Sequence, residues 1–220
     1  MPRLTIIGLG LDSETDLSLR GLEAARGAEE IFLEDYTSLL SNLSIPRLEE
    51  LVRKPIRLIS RDELEHPGLM NFLNGISSKN AALLVPGDPL TATTHQAVRS
   101  QALKQGLSLK VIHASSIFTA APGLAGLFIY KFGPSATVTF PDNPSKVPYE
   151  TLNENKQRGL HTLFFLDLRK PENRYMTISE ALRILKENES RKGAQSRRMI
   201  RSSSASPELD LRPPLCGQEL

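Results

Sequence analysis

Cysteine is almost absent. Cys216 is the single one among 220 residues, so no internal disulfide can form, and no Cys/His spacing suits a zinc site. No apolar run reaches the ~18 residues of a membrane-spanning helix. The N-terminal MPRLTIIGLG has too short an apolar run and the wrong flanks for a secretory signal. Net charge is nearly missing too. Lys and Arg number 27 against 25 Asp and Glu, +2 in all, which excludes an overall electrostatic drive towards nucleic acid. Nor is there a Ser-His-Asp spacing or a P-loop lysine to carry nucleophilic or nucleotide chemistry. What remains is 40% hydrophobic and 24% charged, the balance of a globular chain of one or two domains, and the cytoplasm is the expected compartment.

The most informative stretch is Leu83–His95, LLVPGDPLTATTH. The apolar run Ala81–Val85 is short enough to be a buried parallel strand. Pro86 and Gly87 stop it, and Asp88 then falls just beyond a strand's carboxyl end, where open α/β sheets bind ligands. Thr91, Thr93 and Thr94 supply hydroxyls, and Thr93 or Thr94 is placed to cap a helix over 96–104. Two readings fit: a cradle for a small polar ligand, or a well-capped βα loop with a solvated Asp88.

Strands are expected at Leu4–Ile7, Ile31–Leu33, Ile56–Ile59, Ala81–Val85 and Leu109–His113, with helical patterns between them. That alternation indicates a parallel α/β sheet with right-handed crossovers. Gly8-Leu9-Gly10-Leu11 follows the first strand, but it lacks the third glycine of the dinucleotide fingerprint. Beyond His113, Ile117–Tyr130 reads as a tightly packed helix with Gly123 and Gly126. Strands follow at Ala136–Phe140 and Leu163–Leu168. Helices are expected at Tyr149–Arg158 and at Ile178–Lys186, the latter capped by Thr177. The expected division is an N-terminal α/β domain over 1–113 and a smaller, incomplete α/β domain over 114–192. The stretch 193–220, rich in serine, arginine and proline with no period, reads as disordered or aberrant text. His113 and His161 lie beside strands and read as structural; His95 reads as a helix-entrance residue.

VPGDP with ATTH, GLGL near the start, FLEDYTS (Phe32–Ser38), IHASSI (Ile112–Ile117), IYKFGPSATV (Ile129–Val138), RGLHTLFFLDL (Arg158–Leu168) and RYMTISEAL (Arg174–Leu182) together resemble the diphthine synthases, a branch of the tetrapyrrole methylase superfamily. The resemblance spans Leu4 to about Lys192 and implies that superfamily's two-domain α/β fold. It implies an S-adenosylmethionine-dependent methyltransferase of diphthamide biosynthesis, needing no metal. The acceptor would be the modified histidine of translation elongation factor 2, trimethylated on its amino group. It also implies a cytoplasmic homodimer with no membrane or direct nucleic-acid partner. The donor would lie between the domains, held by Leu11, Asp88, Thr91, Ser116, Ile117 and Leu166, with no catalytic side chain. Lys131 and Arg158 are candidates for the acceptor's carboxylate. In the family, further strands follow where 193–220 has no match. Two other functions stay open: methylation of a porphyrinoid, and ligand binding without turnover.

Overall fold

Five parallel strands build the main sheet: β1 (Arg3–Gly8), β2 (Glu30–Glu34), β3 (Arg57–Ile59), β4 (Asn80–Val85) and β5 (Ser108–Ile112). In the computed structural model, which describes residues 3–65 and 67–191, they lie in the order β3-β2-β4-β1-β5. The inner strands β1, β2 and β4 carry continuous apolar runs because both faces are covered. Leu4, Ile6, Phe32, Leu83 and Val85 face one side. There they meet Leu69, Phe72 and Leu73 of α4 (Gly68–Gly75) and Val98 and Ala102 of α5 (His95–Lys104). Ile7, Ile31, Leu33, Ala82 and Leu84 face the other side. There they meet Ala25 of α1 (Leu19–Gly27) and Leu48 and Val52 of α2 (Ile45–Val52). Each such fully buried aliphatic side chain contributes ~1.5–3 kcal/mol.

Helix starts follow their capping residues. Ser18 Oγ accepts from the Gly21 N–H at 3.0 Å to open α1. Thr177 and Glu180 cap each other ahead of α8 (Ile178–Arg191). The Thr94 cap on α5 does not form. Thr94 already has helical backbone angles, and its hydroxyl donates to Glu65 at 3.3 Å instead. Between β3 and β4, the helical pattern resolves into two pieces, α3 (Arg61–Leu64) and α4.

After β5 the chain enters α6 (Ile117–Leu124), opened by Ser116, whose Oγ accepts from the Phe118 N–H at 3.2 Å. The expected packed helix over 117–130 is corrected here. It stops at Leu124, and Gly126, at φ +70°, turns the chain away. Leu124, Phe128 and Tyr130 are 87%, 65% and 71% exposed. A Cβ on Gly123 or Gly126 would meet nothing within 4 Å, so these glycines do not mark close packing.

β6 (Ala136–Val138) and β7 (Phe164–Leu166) pair in parallel. Both are shorter than the runs expected from sequence. The Asp167 carboxylate takes the N–H of Phe140 (3.2 Å) and of Leu168 (2.9 Å), ending the ladder. Leu168–Arg169 (β8) then pairs antiparallel with Arg174–Tyr175 (β9), a hairpin the apolar pattern did not reveal. α7 (Val147–Gln157) and α8 cover β6 around Val138, Phe140, Tyr149, Met176, Ala181 and Leu185. The expectation for 193–220 lies outside the described residues.

Candidate functional site

β1 leads towards β2 on one side of the sheet, and β4 leads towards β5 on the other. Their helices, α1 and α5, cover opposite faces. The gap between the carboxyl ends of β1 and β4 is therefore a topological switch point, where open α/β sheets bind ligands. The two loops there are tied together. The Gly87 N–H donates to the Gly10 carbonyl at 2.8 Å, and the Leu9 N–H to the Val85 carbonyl at 2.9 Å. Gly8 has to be glycine, since a Cβ there would sit 2.6 Å from the Gly87 carbonyl and 2.7 Å from the Ala114 Cβ. Asp16 fixes the GLGL turn by accepting from the N–H groups of Leu11 (3.0 Å) and Asp12 (2.9 Å). Leu11 thus spends its amide inside the loop and offers a half-buried side chain.

Asp88 is no solvated loop residue. Its Oδ1 accepts from the Leu90 N–H (3.1 Å) and the Thr91 hydroxyl (2.9 Å). Its Oδ2 faces His113 Nδ1 at 2.8 Å and accepts from the Ala114 N–H at 3.3 Å. Burial pushes this carboxyl's pKa up, but the bonds from Leu90, His113, Thr91 and Ala114 outweigh it and hold the group below the usual carboxylate value. Asp88 therefore pins the β4 loop to the end of β5, where the chain departs for α6. Thr91 takes part through its side chain.

Ser116 and Ile117 open α6 just beyond Ala114; Ile117 is 48% exposed. Leu166 sits at the end of β7, half-buried against the second core. Phe118 and Phe165, the sequence neighbours of Ile117 and Leu166, stack at 6.4 Å and join α6 to β7. The structure thus gathers Leu11, Asp88, Thr91, Ser116 and Ile117 around the β1, β4 and β5 ends, whereas Leu166 packs against the second core and only its neighbour Phe165 makes the link to α6.

A cavity of about 860 Å³ opens beside this site, at the carboxyl ends of β2 and β3. Asp35, Tyr36 and Arg61 line one side of it, and Asp167, Arg169 and Lys170 the other. Lys170 pairs with Asp35 across 135 residues of chain. Lys131 and Arg158, the cations singled out in the sequence, line no part of it. His95 is wholly buried, and burial pushes its pKa down to about 4 despite the pull of Glu65. Sequence reasoning missed the partners of Asp88 and of Lys170. His113 reads as structural in the sequence, yet its side chain is 68% exposed and bound to Asp88. Asp35 and Tyr36 lie within FLEDYTS, whose sequence alone gives no sign that they line a cavity.

The family profile described as tetrapyrrole (corrin/porphyrin) methylases matches residues 3–197. The chain is 40% identical over 212 residues to the diphthine synthase of Methanocella arvoryzae, covering 93% of this chain and 82% of that one. It is 41% identical over 198 residues to the diphthine synthase of Methanosarcina barkeri, covering 86% and 73%. Among solved structures, a crystal structure of diphthine synthase superposes with a TM-score of 0.78 at 40% identity, over 86% of this chain and 72% of that one. A putative diphthine synthase from Entamoeba histolytica gives 0.75 at 36% identity, over 87% and 74%.

Proposed function

The chain belongs to the tetrapyrrole (corrin/porphyrin) methylase family, and we propose that it trimethylates the amino group of the modified histidine on translation elongation factor 2, acting as a cytoplasmic homodimer. It is an S-adenosylmethionine-dependent methyltransferase of diphthamide synthesis. The donor site we assign comprises Leu11, Asp88, Thr91, Ser116, Ile117 and Leu166, set between an N-terminal domain ending near His113 and the domain that follows.

The observation that carries this reading is the convergence of the Gly10 and Gly87 loops at the switch point, with Asp88 fixing the start of the crossover. The residues present fit the donor. Gly87, at φ +72°, has nothing within 4 Å of where a Cβ would lie, so a ligand can approach its backbone closely. Leu11, Ile117 and Leu166 are each only partly buried, which leaves apolar surface of the kind that suits an adenosine. The donor supplies a methyl already activated on a sulfonium, which passes to the amine nitrogen, leaving a neutral thioether while the amine's proton goes to water. The protein's share is to hold donor and acceptor in line and exclude water. The bonds already made by Asp88 make it an organiser of the site as much as a direct ligand.

Calorimetry with S-adenosylmethionine and a methyl-transfer assay on unmethylated elongation factor 2 test the reading together. Binding with transfer to the factor is expected. Transfer to a porphyrinoid alone would assign the other branch of the family, and binding without any turnover would make the chain a ligand-binding protein.

A further inference from the structure

The cavity at the β2 and β3 ends shares one sheet edge with the switch point. β2 is the hydrogen-bonded neighbour of β4, and β3 lies next beyond it. Adjacent strands are ~4.8 Å apart, so the cavity begins roughly 5–10 Å from the Gly-Asp-Pro loop. The second half of the chain links the two as well. Leu166 belongs to the donor wall assigned above, and the next residue, Asp167, begins the stretch that lines the cavity.

Its cations differ in how they are held. Arg169 is taken by Asp142 at 2.5 Å and by Glu172 at 3.7 Å. Arg61 lies over the Tyr36 ring at 5.2 Å. Lys170 has Asp35 as its ion-pair partner, and both side chains are about a third exposed, at 29% and 35%. Tyr36, 8% exposed, also lines the cavity. Its hydroxyl makes no hydrogen bond of normal geometry, with the Thr94 side chain nearby. A solvent-reachable ion pair on the cavity wall suits a ligand that carries both charges.

We propose that this cavity binds the acceptor, a side chain bearing an amino and a carboxylate group, by opening the Asp35–Lys170 pair so that Lys170 takes its carboxylate and Asp35 its amino group. Such a zwitterion replaces each partner's lost contact with an equivalent one, so opening the pair leaves neither charge unmatched. The assignment rests on the reading of the chain as a methyltransferase of a modified histidine's amino group.

The test is steady-state methyl transfer with elongation factor 2 as the varied substrate, alongside donor calorimetry and melting curves. Lys170→Ala should raise KM for the factor roughly tenfold or more, the loss of one charge-assisted hydrogen bond, and leave donor affinity unchanged. Lys170→Met, which keeps the stem without the charge, should do the same at wild-type melting temperature. The charge swap Asp35→Lys with Lys170→Asp separates binding from clasping the two halves. It should keep the wild-type melting temperature and leave KM raised, because the acceptor's charges now meet the wrong partners. An unchanged KM in both single variants, a donor affinity that falls in parallel, or a swap that restores KM overturns the assignment alone. A wild-type chain that transfers no methyl to the factor overturns it together with the reading beneath it.

Discussion

Asp88→Asn keeps the shape of the side chain and removes its charge. An amide oxygen in the Oδ1 position still accepts from the Leu90 N–H and the Thr91 hydroxyl. The amide nitrogen in the Oδ2 position can donate to His113 in its other tautomer, but it meets the Ala114 N–H donor to donor. The variant therefore leaves one amide unsatisfied and weakens three charge-assisted bonds. An unsatisfied buried donor costs ~1–3 kcal/mol. Ala114 is half-buried and His113 is exposed, so a loss of about 1–2 kcal/mol of stability is expected, with donor affinity about tenfold weaker. The pH dependence has a definite sign. The carboxyl is held below its ordinary 3.8 in the folded state. Its contribution is full above that value and is lost as pH falls through the lower folded one. Urea unfolding should show the gap between the wild type and the Asp88→Asn variant at pH 7, and see it close below about pH 4. Equal stability at pH 7 with equal donor affinity would refute the role given to Asp88, and so would a gap indifferent to pH.

Three further outcomes are expected. Gly8→Ala drives a Cβ against the Gly87 carbonyl, the Ala114 Cβ and Pro89 Cδ, at 2.6, 2.7 and 2.9 Å. It should cost ~1–3 kcal/mol in urea unfolding and weaken donor binding, because the loops must part. Gly87→Ala meets no atom but keeps a left-handed φ of +72°, so its cost should be about 1 kcal/mol, smaller than that of Gly8→Ala; the reverse order would contradict the packing described. Buried His95 stays neutral down to about pH 4 against an ordinary 6.5, so the unfolded chain takes up its proton first. The His95 share of the stability should therefore fall by about 3 kcal/mol as pH drops through that window and no further below it. His95→Gln should flatten the slope there, and an unchanged slope would remove His95 as its source.

The main sheet was legible because parallel strands covered on both faces leave unbroken apolar text, as in Leu4–Ile7 and Ala81–Val85; the last helix was legible because Thr177 marks its start by a local bond. The Gly-Asp-Pro turn was legible as the loop that ends β4 for the same local reason. The β8–β9 hairpin was not, since two-residue strands in the polar stretch Leu168–Tyr175 show no alternation. Ile117–Tyr130 misled because apolar residues at helical spacing do not reveal whether anything covers them. The partners of Asp88 and Asp35 escaped because His113 and Lys170 reach them only through the assembled fold, 25 and 135 positions along the chain. Composition carries no trace of such pairs.

The most direct test of the account is mass spectrometry of the histidine peptide from unmethylated elongation factor 2 after incubation with this chain and S-adenosylmethionine. The account predicts methyl groups added to the amino group of the modified histidine by the wild-type chain, with the Asp88→Asn variant slower at limiting donor and matching it more closely as donor is raised. A wild-type chain that binds the donor and leaves that peptide unmethylated would contradict it.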